Sequence, residues 1–393
     1  MIEQVQNIQE TIEGRIPELI EAHVLGRGAR EGGAALPTPP HDAIMEAVAN
    51  QALVSSRGGK RLRARLMLAF AGAFGAGRGV RCGTEQAALD IACAIEVFQT
   101  AALVHDDIID DSDTRRGKPA AHRSLAADFH RADASPRHLP QSPASSTRDD
   151  SVGAGLGIML GDLLATVSVQ IANGAESDPD LARDVMAAFL NMQREVEIGQ
   201  VLDLAAEAID LDDPRRLAAN ALDVFRWKTA SYTTIAPIEL GLLHAGAGRA
   251  DSRSMAERIG APLGLAFQLA DDMLDVAGDT ARTGKPTGGD IREGKRTALL
   301  ADALLATAGD DHAYLLDAYR RPARDEADVA RITAIFEESG ALDASRRRIA
   351  GLWDESSRAL EDACDVLRVD HDGRRSLRAA CGAFVPETIR TRA

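Results

Sequence analysis

The sequence predicts an all-α protein, and three observations predict it. Apolar residues recur with helical period along most of the 393 residues, no segment shows convincing strand alternation, and Ala and Leu are abundant while aromatic residues make up only 4%. A hydrophobic fraction of 45% and a charged fraction of 27% are those of a folded globular chain and exclude wholesale disorder. Lys plus Arg number 45 against 60 Asp plus Glu, a formal charge of −15 that repels nucleic acid, so any cationic cluster stands out.

In chain order, residues 1–25 read as an amphipathic helix. It carries Glu3, Glu10, Glu13, Arg15, Glu18 and Glu21, and therefore no secretory core. No run of ~18 apolar residues without charge is long enough to span a bilayer, so a cytoplasmic protein with no membrane span is expected. The Gly/Pro-rich stretch 26–41 separates this helix from the main body, 42–393. Helical periodicity then places helices over 42–54, 61–75, 84–111, 153–174, 179–209, 214–246, 252–277 and 295–306, with shorter ones out to 390. Segment 133–151 is rich in Ser, Pro and Asp with almost nothing to bury, and is expected to be a mobile insert between two helices. Residues 278–294 form a Gly-rich polar connection. The spacing of Cys82, Cys93, Cys364 and Cys381 matches no zinc pattern and no dense disulfide framework, so they read as free buried thiols.

One short acidic pattern occurs twice. Asp106-Asp107-Ile108-Ile109-Asp110 ends the apolar helix IACAIEVFQTAALVH, and Asp271-Asp272-Met273-Leu274-Asp275 ends the equally apolar APLGLAFQLA. On a helix the first and last Asp of each cluster lie one turn apart on one face with the middle Asp beside them, a claw made only of oxygen ligands. Such hard, anionic, sparse ligands suit Mg²⁺, which bridges carboxylates to substrate phosphates. Two claws suggest one diphosphate held between two helices. An Asp-rich helix end is often a solvated face and nothing more. Two matched copies, each ending an otherwise buried helix, argue against that bland reading.

Cationic groups stand near each claw. Gly58-Gly59-Lys60-Arg61-Leu62-Arg63 opens a helix, where backbone N–H groups add to the side-chain charges. Arg115-Arg116-Gly117 follows the first claw and offers two guanidiniums for bidentate contacts with diphosphate oxygens. Lys285 and Lys295 follow the second on a loop able to close over a phosphate. Lys228-Thr229 lies in FRWKTASYT. Singly, each is more often a surface charge than a ligand; together, in a net-acidic chain, they point to a metal-bridged polyanion.

These residues carry a resemblance. From about Gly58 to Thr297 the chain resembles the trans-type isoprenyl diphosphate synthases, the polyprenyl synthetase family, through GGKRLR, EVFQTAALVHDDIIDDSDTRRGKPAAH, GIMLGDLL, EVEIGQVLDL, KTASYT, GLAFQLADDMLD and TGKPTGGDIREGKRT in the family's order. The resemblance implies a single-domain helical bundle around a deep central cavity, a homodimer, and head-to-tail condensation of isopentenyl diphosphate with an allylic diphosphate. It implies Mg²⁺, three ions per active site, held by Asp106, Asp107, Asp110, Asp271 and Asp275, with Asp272 assisting. Arg115, Lys228, Thr229, Gln268, Lys285 and Lys295 would hold the allylic diphosphate. Lys60, Arg63, Arg116 and Gln99 would hold isopentenyl diphosphate, Gln99 standing where many members have His. Of these, Asp106, Asp110, Asp271, Arg115 and Lys228 would act on the leaving group, since fixed cations aimed at developing charge stabilise the transition state. His105 then reads as a packing or hydrogen-bonding residue, not a general base.

Product length is partly legible. A prenyl tail growing back along the helix from Asp106 at ~1.5 Å per residue passes Ala102 and Ala101, both too small to block it, and meets Phe98 at ~12 Å. Phe98 is equally readable as an ordinary core aromatic. A twenty-carbon product, geranylgeranyl diphosphate, is preferred, with farnesyl or a longer prenyl diphosphate as the alternative. Three rivals remain open. A class I terpene cyclase should carry an Asn/Ser/Glu-type second motif, a head-to-head synthase lacks the Arg115-Arg116-Gly117 and Lys285/Lys295 pattern, and a non-catalytic partner subunit should have lost part of a claw.

Overall fold

Buried apolar stripes account for the helices of the computed structural model, which describes residues 2–24, 43–75, 83–133, 143–277 and 288–390. These residues fall into two compact units. The first comprises 1–68 and 81–187. It contains α1 (Ile2–Val24), α2 (Ala43–Ser55), the start of α3 (Leu62–Gly75), α4 (Glu85–Ile109), α5 (Ala121–Asp133), α6 (Pro143–Ala175) and the start of α7 (Pro179–Ala206). α4 is its core helix. Thr84 caps it by accepting a hydrogen bond from the Ala87 amide, and Ile91, Ile95 and Val97 are wholly buried. α4 packs mainly against α6, which also covers α5. α1 belongs to this unit too, since Ile12, Ile16 and Ile20, spaced one turn apart, are buried along its contact with α4.

Two readings of the sequence need correction in this unit. A two-stranded antiparallel hairpin, β1 (Thr114–Arg115) and β2 (Lys118–Pro119), stands where no strand was expected. Its turn residues Arg116 and Gly117 both have positive φ, 53° and 72°, the mirror-image turn that suits a two-residue hairpin. Segment 133–151 is not loop throughout. α5 runs to Asp133 and α6 begins at Pro143, ten residues before the helix expected at 153. Proline suits a first helical turn, and a helix nucleated by the apolar run beyond Val152 extends at little cost per residue.

The second unit comprises 69–80 and 188–393. Beyond the end of α7 it contains α8 (Pro214–Val224), a π-helical stretch (Phe225–Ile235), α9 (Ala236–His244), α10 (Arg249–Ala277), α11 (Gly289–Glu293) and α12 (Ala298–Ala306). α13 (Gly309–Arg320), α14 (Glu326–Glu338), α15 (Ala341–Val366), α16 (His371–Gly382) and α17 (Glu387–Arg390) complete it. α10 is central and packs on the π-helix and on α15. The single helix expected over 214–246 is thus three elements. Cys93, Cys364 and Cys381 are free and buried, while Cys82 lies outside the described residues.

Candidate active site

The first claw ends α4 in the first unit. Successive helical residues turn by about 100°, so Asp106 and Asp110 share a side while Asp107 faces inward. Asp106 is half-buried and Asp110 exposed, but Asp107 is only 2% exposed. Its carboxylate is already engaged: Arg115 Nε donates to Oδ1 at 2.8 Å, and Arg115 Nη2 reaches the same oxygen. The hairpin therefore folds Arg115 back onto the claw it follows. Burial alone would lower the guanidinium's pKa, yet the Asp107 hydrogen bond and the charges of Asp107, Asp106 and Asp110 raise it. Asp107 is tied to a cation in this state, and Arg115 to a carboxylate.

Arg116 points the other way, donating from Nη1 to the carbonyls of Arg57 at 2.7 Å and Gly58 at 3.1 Å. Gly59, with φ of 103°, lies under this guanidinium, where a Cβ would come within 3.2 Å of Nη2. Only glycine combines that backbone angle with that clearance. An open cleft gathers Arg57, Arg115, Arg116 and Lys118 with Asp107, Gln51 and Thr100. Lys60, Arg63 and Gln99 do not line it. Lys60 is exposed, Arg63 buried and Gln99 half-buried. On α4, Phe98 is 5% and Ala101 1% exposed, while Ala102 is half-buried on the side of Asp106. His105 Nε2 sits 3.2 Å from the Ile158 carbonyl oxygen and 3.4 Å from Asp162, as expected of a hydrogen-bonding residue.

The second claw ends α10 in the second unit. Asp271 is exposed, Asp275 half-buried and Asp272 6% exposed. Here the inward aspartate meets an amide, not a cation: Gln268 Nε2 donates to Asp272 Oδ1 at 2.8 Å and Thr229 Oγ1 donates to Gln268 Oε1 at 3.1 Å. Burial, with Asp290 and Asp271 nearby, pushes the Asp272 carboxyl well up. The start of α11 adds Asp290, whose backbone N–H donates to Asp275 Oδ2 at 3.0 Å. Burial pushes the Asp290 side chain to about 6 against the pull of Lys295. Lys295 Nζ lies 2.8 Å from Glu293 and 3.4 Å from Asp290. Lys285 lies outside the described residues.

Lys228 and Thr229 sit on the π-helix, and Lys228 Nζ donates to Asp203 at 2.6 Å. Gly199 makes this possible, because a Cβ there would fall 2.1 Å from the Lys228 backbone nitrogen. Arg226, two residues earlier, is anchored to Glu195 and Glu257, which Arg253 also bridges while pairing with Glu239. Asp203, Asp290 and this buried ionic cluster were not singled out from the sequence. The signal for Asp203 was available, as the last acid of EVEIGQVLDL. Asp290 lay in GDIREGKRT without a role.

Among the described residues, no three His, Cys, Asp or Glu side chains converge closely enough to hold a metal unaided. That suits Mg²⁺, which takes one or two carboxylates and fills its shell with water and substrate phosphate. The buried Asp272 and the half-buried Asp290, which repel one another, also fit a group that brings positive charge.

A family model described as polyprenyl synthetase matches residues 44–336. A short chain isoprenyl diphosphate synthase of Methanothermobacter thermautotrophicus is 30% identical over 289 residues, 73% of this chain and 75% of its own. An octaprenyl diphosphate synthase of Haemophilus influenzae is 28% identical over 312 residues, 79% of each chain. Among solved structures, a geranylgeranyl pyrophosphate synthase of Corynebacterium glutamicum, complexed with isoprenyl diphosphate and magnesium, superposes with a TM-score of 0.79 at 29% identity. The match covers 98% of this chain and 99% of that one.

Proposed function

The chain belongs to the polyprenyl synthetase family and is a trans-prenyltransferase, and from that premise we propose that it condenses isopentenyl diphosphate head-to-tail with allylic diphosphates to give geranylgeranyl diphosphate. The observation that carries this reading is the pair of aspartate clusters, each ending the central apolar helix of its own unit and each accompanied by cationic side chains. Asp106, Asp107, Asp110, Asp271 and Asp275 hold Mg²⁺, three ions in all, with Asp272 assisting. Bound there, Mg²⁺ supplies positive charge to the oxygens of the departing diphosphate.

The chain's own groups do the rest. Arg115, Lys228, Thr229, Gln268, Lys285 and Lys295 orient the allylic diphosphate and oppose the charge that develops as its carbon–oxygen bond breaks and the electron pair leaves with pyrophosphate. Lys228 and Arg115 must first exchange Asp203 and Asp107 for phosphate oxygens, or share them. Lys60, Arg63, Gln99 and Arg116 hold isopentenyl diphosphate so that its double bond attacks the allylic cation. The proton then lost from the new carbon–carbon unit passes to pyrophosphate.

The enzyme works as a homodimer in this reading. α6 supports it: within Asp150–Ala175 the most apolar 18-residue window has a mean hydropathy of 1.7, yet only 39% of that window is buried within the chain, and Ile158 and Met159 are 43% and 57% exposed. A second copy is the natural cover for such a face.

Incubating the protein with Mg²⁺, isopentenyl diphosphate and labelled dimethylallyl diphosphate, then separating the dephosphorylated prenyl alcohols, tests the reading. Twenty-carbon alcohol is expected. Cyclic hydrocarbons would favour a terpene cyclase, and no coupling at all a partner subunit. In the same assay Phe98→Ala should lengthen the product and Ala101→Phe shorten it. If neither moves chain length, the floor of the tail pocket lies elsewhere.

A further inference from the structure

The loop that opens α3 is held from outside the region matched by the family. That match begins at residue 44, whereas α1 ends at Val24. From α1, Glu13 Oε1 accepts from Arg61 Nε at 2.7 Å, and Glu13 Oε2 accepts from the Gly58 amide at 3.4 Å. Gln9 Nε2 donates to the Gly59 carbonyl at 3.1 Å. Arg61 is 4% exposed and has a φ of 50°, in the left-handed region that costs a branched-out side chain about 1 kcal/mol. Its remaining nitrogens bond Glu96 at 3.2 Å and the Ser56 carbonyl at 2.5 Å, and Glu96 also accepts from the Ala64 amide at 3.1 Å. Arg61 is thus locked inward by two carboxylates, which fixes its chain neighbours. Lys60 is turned to solvent beside it, and Arg63 lies in the first turn of α3 on its other side.

We propose that Glu13 is a positioning residue for isopentenyl diphosphate binding, acting through Arg61 and the Gly58 amide to hold Lys60 and Arg63 in place. The proposal rests on the assignment of Lys60 and Arg63 to that substrate. It has a signature that charge alone cannot produce. Glu13 is a negative charge beside a loop that binds an anion, so removing it should tighten diphosphate binding if Coulomb attraction were the whole effect. A positioning role predicts the reverse.

The test is steady-state kinetics of Glu13→Gln and Glu13→Asp in the full chain, with Lys60→Ala as reference and a melting curve for each. Glu13→Gln should raise the KM for isopentenyl diphosphate about tenfold, the loss of one charge-assisted hydrogen bond, with the allylic KM and kcat changed less than twofold. Glu13→Asp keeps the charge but shortens the reach, and should raise the same KM, so the test survives if the Gln variant does not fold. An unchanged or lowered isopentenyl KM in the Glu13 variants, with Lys60→Ala raising it selectively, overturns the proposal alone. If Lys60→Ala also fails to act selectively on isopentenyl diphosphate, the assignment of the loop falls and the proposal with it.

Discussion

The two aspartate clusters are near-identical as strings and differ in how their inward carboxylate is treated. At the end of α4, Asp107 is buried against Arg115, which the hairpin delivers eight residues later. At the end of α10, Asp272 is just as inward but bonds only the neutral Gln268 among its hydrogen-bond donors, with Asp290 adding a further negative charge. The Arg115 guanidinium holds the first inward carboxylate in place, whereas burial and the neighbouring Asp290 and Asp271 disfavour ionisation of the second against the pull of Gln268 and Lys295. In the proposed function the first cluster would therefore be arranged before Mg²⁺ binds, while at the second Mg²⁺ and protons would compete.

The largest expected effect removes the outward ligands and should erase the difference. Asp106→Asn and Asp271→Asn each keep size and helix, yet each deletes a charge that the proposed function directs at the leaving group, so kcat should fall by at least ~10²–10³-fold in both. Circular dichroism should stay unchanged. A variant with near-normal turnover would make its cluster structural.

Next comes a contrast in sign. Asp107→Asn strips Arg115 of its buried counter-charge and should lower the melting temperature by a few degrees in metal-free buffer at pH 7.5. Asp272→Asn removes a buried charge while its amide oxygen still accepts from Gln268, and should raise it. Calorimetry that found both variants shifted the same way would dissolve the comparison.

The smallest effect is a pH dependence at Asp290. Its carboxyl is raised to about 6 in the fold, against about 3.9 for an unperturbed aspartate. The folded state therefore binds the proton more tightly, and ionisation costs stability. That cost is absent below about pH 4, grows between about 4 and 6, and is complete above. The melting temperature of Asp290→Asn minus that of the wild type, without metal, should rise across that window and then level off. A flat difference would place no such strain on Asp290.

Much of this was legible in the residue pattern. The long apolar helices over 84–111 and 252–277, and the acids that end them, follow from period and composition, because burial of one face decides a helix whatever its neighbours. What was not legible depends on residues distant in the chain. The π-helix exists where Gly199 lets α7 meet the Lys228 backbone, and neither segment announces the other. Asp106 and Asp107 are identical letters, and only packing separates the half-buried carboxylate from the buried one. Glu13 and Arg61 lie 48 residues apart, so their pairing left no local trace. The hairpin at 114–119 is too short to show alternation, and its turn is set by Arg116-Gly117, a pair that also reads as a cationic clamp.

The measurement that bears most directly on the whole account is carbon–carbon coupling in protein stripped of metal and then titrated with Mg²⁺, using isopentenyl diphosphate and a labelled allylic diphosphate. Both clusters offer only oxygen, and among the described residues no three such side chains converge closely enough to hold a metal unaided. Coupling and pyrophosphate release should both be absent after chelation and should return together as Mg²⁺ is added. Full turnover in metal-free buffer would contradict the account.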